Sequence, residues 1–226
     1  MLNTNSFSRG KLFAATLATT SLISTSALAH HPLGGMSMET FGHGVLSGIG
    51  HPLLGFDHLF FVIIVGIAAL YTGRALLAPA AYIAAMLTGC VLMAFGAGLP
   101  MKEAVIGLSL LVVGGIVLSG HALKLVPAVA LFTLFGLFHG SAFGDAIAAQ
   151  ESAAGTQVLV GYLIGLGVLQ YAIAVTSGWV AKTLWKATEA TAIQARLAGA
   201  VVAGVGAFLS LETLEGLVLS ALGWSA

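Results

Sequence analysis

Two short stretches of this 226-residue chain concentrate side chains able to bind a cation. The first reads His51-Pro52-Leu53-Leu54-Gly55-Phe56-Asp57-His58, the second Phe138-His139-Gly140-Ser141-Ala142-Phe143-Gly144-Asp145. Glu212 and Glu215 add carboxylates near the far end. Imidazole with carboxylate suits nickel, cobalt, zinc or iron, while scarce sulfur argues against copper(I). Each stretch lies in a long apolar run, where an ionisable group costs a few kcal/mol or more and needs a partner or a task. The chemistry indicated is capture and passage of a divalent cation.

His51 and His58 are seven apart, which on a regular helix means one face but about 10 Å along the axis. That is too far for both to grip one ion. Two readings stay open: Pro52 and Gly55 break the helix, or the histidines are successive stations on a path. Asp57 is either a ligand or the orienting partner of an imidazole from a neighbouring helix. His43 is a relay ligand or a solvated loop residue. His121 fits a helix-end cap; Cys90, Met86 and Met93 fit packing. Gln170 and Tyr171 line a polar path or bond to neighbouring backbone.

The elements that must hold these residues are transmembrane helices. Hydrophobic residues make up 58% and charged residues 7%, with a mean hydropathy of +1.04. A soluble domain carries about 25% charge. A net charge of zero argues against nucleic acid, and the lone Cys90 excludes a disulfide framework within one chain. No GxxxxGK[ST] loop marks an ATPase. Spanning the hydrocarbon takes about 20 residues. Six apolar runs lie near 52–72, 76–98, 103–120, 125–144, 157–180 and 197–217. The fold expected is an all-α, polytopic bundle of six transmembrane helices over residues 30–226. Pro52, Pro79 and Pro127 fall at run starts, where a missing N–H is harmless. Segment 182–196 is expected to lie at the surface.

Residues 1–29 read as a cleaved signal peptide: Arg9 and Lys11, an apolar stretch from Leu12 to Ile23, then Ala27-Leu28-Ala29. Cleavage would leave His30 and His31 at a new amino terminus as a surface chelator; chance placement is the other reading. With that terminus outside, the inner loops hold Arg74, Lys124, Lys182, Lys186 and Arg196, and the outer loops only Lys102, as the positive-inside rule requires. The expectation is a multi-pass protein of the bacterial inner membrane, its mature amino terminus periplasmic or extracellular. His139 then lies about 22 Å above Lys124, and Glu212 rises equally far beyond Leu197. His58, His139, Asp145 and Glu212 thus converge on one outer layer. Gly136, Gly140 and Gly144 form a strip that admits another helix beside His139.

The paired motifs HPLLGFDH and FHGSAFGD resemble the two signatures of the HupE/UreJ family of nickel (or cobalt) permeases. The signal peptide followed by histidine and the six-span length are similar too. The resemblance implies uptake of nickel or cobalt, with His51, Asp57 and His58 carried over from the first signature and His139 from the second. Members often carry a second histidine and a glutamate where this chain has Phe143 and Asp145. On this reading the chain is not an enzyme and holds no tight cofactor; Ni2+ or Co2+ is its transported ligand. Its partners would be the lipid bilayer, a second copy of itself or a downstream metallochaperone. Three rival readings use the same residues: a membrane metalloenzyme, a haem carrier with His58 and His139 as axial ligands, and an accessory subunit of a larger transporter. Deprotonated imidazole is needed to bind, so uptake should fall below about pH 6.5.

Overall fold

The computed structural model describes residues 38–148 and 155–224, which form helices α1 (Phe41–Leu54), α2 (Phe56–Leu70), α3 (Leu77–Ala94), α4 (Lys102–Ser119), α5 (Leu125–Ala148), α6 (Thr156–Thr183) and α7 (Ile193–Ala221). The signal-peptide expectation, with His30 and His31, lies outside the described residues. Helices α3 to α7 are each long and apolar enough to cross a membrane, and the pair α1–α2 makes a sixth span if counted as one. Large apolar side chains such as Phe56, Phe95, Val126 and Val168 face outward. That is the surface a lipid solvent demands and water penalises.

The first span differs from the expected run over 52–72. It begins at Phe41 and is bent by 84° at Gly55. The glycine-rich stretch before His51 is helical because tertiary packing outweighs glycine's poor propensity. Gly44 and Gly48 lie against the backbone of Val158 and Tyr162 on α6, so close that a Cβ at either would meet a carbonyl oxygen. Pro52 is therefore not at a helix start but inside the last turn of α1, where it removes a backbone donor and helps the helix stop. Gly55 is extended (φ −87°, ψ 95°) and serves α2 as its N-cap position. Both halves of the broken pair pack against α6. Gly66 meets Ala174, and Tyr71 Oη donates to the Ala187 carbonyl at 3.0 Å.

Three helix pairs surround α2: α1 with α6, α3 with α5, and α4 with α7, and α2 touches all six. Most of α2 is buried, including Phe61, Val62, Ile64 and Val65. The glycine strip on α5 admits α3 as expected, with Gly136 against Tyr82, Gly140 against Met86 and Gly144 against Met93 and Cys90. The surface segment expected over 182–196 is shorter. Helix α6 runs to Thr183 and α7 starts at Ile193, and the connection is tied down through Ala187, which is fully buried.

The two ends of the bundle differ in charge. Glu39, Asp57, Glu103, Asp145, Glu212 and Glu215 lie towards one end with Lys102. Arg74, Lys124, Lys182, Lys186 and Arg196 lie at the other with Glu189.

Candidate metal-binding site

The break at Gly55 places His51 and His58 on two helices bent by 84° rather than on one regular helix. His51 sits in the last turn of α1, while Asp57 and His58 occupy the first turn of α2. An acidic residue there is favoured by the unsatisfied N–H groups of the helix start. Phe143 of α5 contacts both imidazoles, with ring centroids 5.6 Å from His51 and 4.1 Å from His58. Space around the break is tight: a Cβ on Gly55 would come within 3.0 Å of His58 Cδ2.

His58 and His139 meet directly. Their Nδ1 atoms are 2.7 Å apart and share one hydrogen bond, with His58 6% exposed and His139 fully buried. Phe61, one turn after His58, stacks on His139 at 4.2 Å and 18°. Tyr82 meets the same imidazole edge-on at 6.2 Å and packs against Phe61. The remaining nitrogen of His139, Nε2, lies 2.9 Å from Ser109 Oγ on α4. The remaining nitrogen of His58, Nε2, faces Asp57 Oδ2 at 3.8 Å. A metal held by both Nδ1 atoms would need about 2 Å to each nitrogen, so the pair as it stands is a hydrogen bond rather than a clamp. As they stand, the two imidazoles do not flank an iron as axial ligands would.

Asp57 lines a cavity of about 240 Å³ with Glu103, Ile106, Leu209, Glu212 and Thr213, so carboxylates from α2, α4 and α7 share one opening. Glu103 is within electrostatic reach of Asp57, Lys102 and Asp145. Asp145 itself is held by Lys102, with Nζ 2.6 Å from Oδ1. Ser141 Oγ accepts from Leu99 N–H at 3.0 Å and fastens the α3–α4 loop to α5.

Of the expected residues, the fold brings His58, His139 and Asp57 together and His51 beside them at Phe143. Glu212 faces the cavity, and Asp145 is engaged by a lysine. Among the described residues, no three His, Cys, Asp or Glu side chains close on one point. His43 lies in α1 and serves its start: its Nδ1 accepts from Glu39 N–H, and Thr40 Oγ1 accepts from His43 N–H. Glu103, Ser109 and Phe61 went unnoticed in the sequence. A carboxylate opening the third apolar run was a legible signal for Glu103. Ser109 is a lone hydroxyl in an apolar run and gives almost none.

These features define a polytopic helical membrane protein with a buried histidine pair next to Asp57, one of the carboxylates of an acidic opening. Residues 17–209 match the family described as HupE / UreJ protein. The chain belongs to the HupE/UreJ family. Protein HupE of Rhizobium leguminosarum bv. viciae is 29% identical over 186 residues, covering 81% of this chain and 93% of that one. No solved structure matches.

Proposed function

We propose that this protein is a permease that carries a divalent transition metal cation, nickel or cobalt, into the cell. The observation that carries the reading is the buried His58–His139 pair beside Asp57, a carboxylate that also lines the acidic cavity. Family membership supports it. The charge asymmetry of the bundle supports the orientation: the basic end faces the cytoplasm and the acidic end faces outward. The protein then acts by moving its substrate rather than transforming it.

The cation approaches the acidic opening, where Glu103, Glu212 and Asp57 raise its local concentration. His30 and His31 capture it earlier at the outer surface. It sheds water onto Asp57 and His58, with His51 alongside, while His139 holds the His58 ring from behind. A ligating imidazole ordinarily gives its second N–H to such a partner, which fixes the ring and raises its basicity. Asp145 pairs with Lys102, so the one Lys or Arg near the opening among the described residues does not repel the substrate. The small number of protein donors favours release, because binding that is too tight would trap the ion.

The test is uptake into sealed vesicles holding purified protein, with nickel, cobalt, zinc, iron and manganese in competition. Nickel or cobalt should enter, and His58→Ala or His139→Ala should abolish entry while the protein remains folded. Undiminished uptake in both variants would refute the site.

A further inference from the structure

We propose that Ser109 is a positioning residue that decides which nitrogen of His58 meets the cation. The inference rests on the reading of His58 as a ligand and deepens it. Ser109 is fully buried in α4, and its Oγ lies 2.6 Å from the Ile106 carbonyl and 2.9 Å from His139 Nε2. A hydroxyl has one hydrogen and two lone pairs. A carbonyl can only accept, so the hydrogen belongs to Ile106 O. Helical hydroxyls elsewhere in this chain also donate to a carbonyl of the preceding turn: Ser119 three residues back, and Thr88, Ser177, Thr183 and Ser210 four residues back. Only lone pairs then face His139, and His139 must donate from Nε2–H.

The rest follows along the chain of bonds. With its proton on Nε2, His139 offers a bare Nδ1 as acceptor. The 2.7 Å contact then requires His58 to donate from Nδ1–H. The lone pair of neutral His58 therefore sits on Nε2, the nitrogen that faces Asp57. Ser109, two helices away from that atom, thus points the electron pair of His58 at the carboxylate with which it would share a cation. Without the hydroxyl, His139 Nε2–H is buried with no acceptor, and the pair reverses. His139 then donates from Nδ1, and His58 carries its hydrogen on Nε2, on the side that faces Asp57. The donor atom is blocked without any ring having moved.

Tautomers are assigned by bonding logic and are directly measurable. Full-length, metal-free protein with 15N-labelled histidine should show His58 protonated at Nδ1 and His139 at Nε2. Ser109→Thr, which keeps the hydroxyl, should preserve that pattern. Ser109→Val, of the same shape without the hydroxyl, and the smaller Ser109→Ala should reverse it. In vesicles these two should raise the half-saturating Ni2+ concentration about tenfold, the scale of one buried hydrogen bond, because only the competent tautomer binds. Maximal rate should change far less. Wild-type protein with His58 protonated at Nε2 overturns the proposal, as do Val and Ala variants that both keep the wild-type tautomers. Failure to move Ni2+ at all would end the permease reading instead, and the metal-free spectra would still decide the role of Ser109.

Discussion

A single methyl group at Gly140 should disable the site from the far side of α5. An alanine Cβ there would lie 1.9 Å from the Met86 carbonyl oxygen, 2.7 Å from its carbon and 2.9 Å from Cys90 N. All three are backbone atoms of α3, so no side chain can rotate away. Reaching even 3.0 Å from that oxygen means the helices part by about 1 Å, in an interior packed like a crystal. His139 precedes Gly140 and moves with it, stretching a 2.7 Å bond past the range of a good hydrogen bond, roughly 3.2 Å. Overpacking of this kind costs about 1–3 kcal/mol, and a misplacement of about 1 Å can cost up to a hundredfold in rate. The control is Gly204→Ala on α7, where a Cβ meets nothing within 4 Å and helix propensity favours alanine by up to about 1 kcal/mol. Thermal unfolding in detergent and uptake of radiolabelled nickel by vesicles read the two consequences separately. If Gly140→Ala unfolds and transports like Gly204→Ala, the tight α3–α5 contact does not position His139 and the reasoning fails.

Lys102→Ala removes the cation from the acidic end and releases Asp145, so the half-saturating nickel concentration should fall severalfold at low ionic strength. The gain should vanish in about 1 M salt, where the Debye length is only ~3 Å. The pair itself is partly exposed, and a double-mutant cycle on unfolding should give no more than about 1 kcal/mol of coupling. Phe143→His would put an imidazole against both His51 and His58, where the phenyl ring already makes contact. Equilibrium nickel binding should tighten while turnover slows, both measurable on one preparation. Lowering the external pH should raise the half-saturating concentration, because protons compete with the cation for the same imidazole lone pair.

Much of this molecule was legible before any packing was known. Hydropathy is a local property, so the apolar runs announced membrane helices, and the cost of ionisable groups in lipid singled out His51, Asp57, His58 and His139. Depth was readable too, since helical rise is constant; it brought Glu212 to the layer of Asp57, where the cavity places it. The glycine strip on α5 announced a close neighbour without naming α3.

Azimuth and partnership were decided only in three dimensions. A sequence gives the height of a side chain along its helix, but which atom it touches depends on how six other helices cross. The bend at Gly55 was one of two readings until the glycines of α1 were seen against α6, because the helix before Pro52 is sustained by that contact and not by its own residues. The assignment of Asp145 to Lys102, the direct bond between two imidazoles from α2 and α5, and the turn of Ser109 towards His139 all join residues from separate helices. Donor chemistry is written residue by residue; its direction is set by close packing between segments, and no local pattern encodes it.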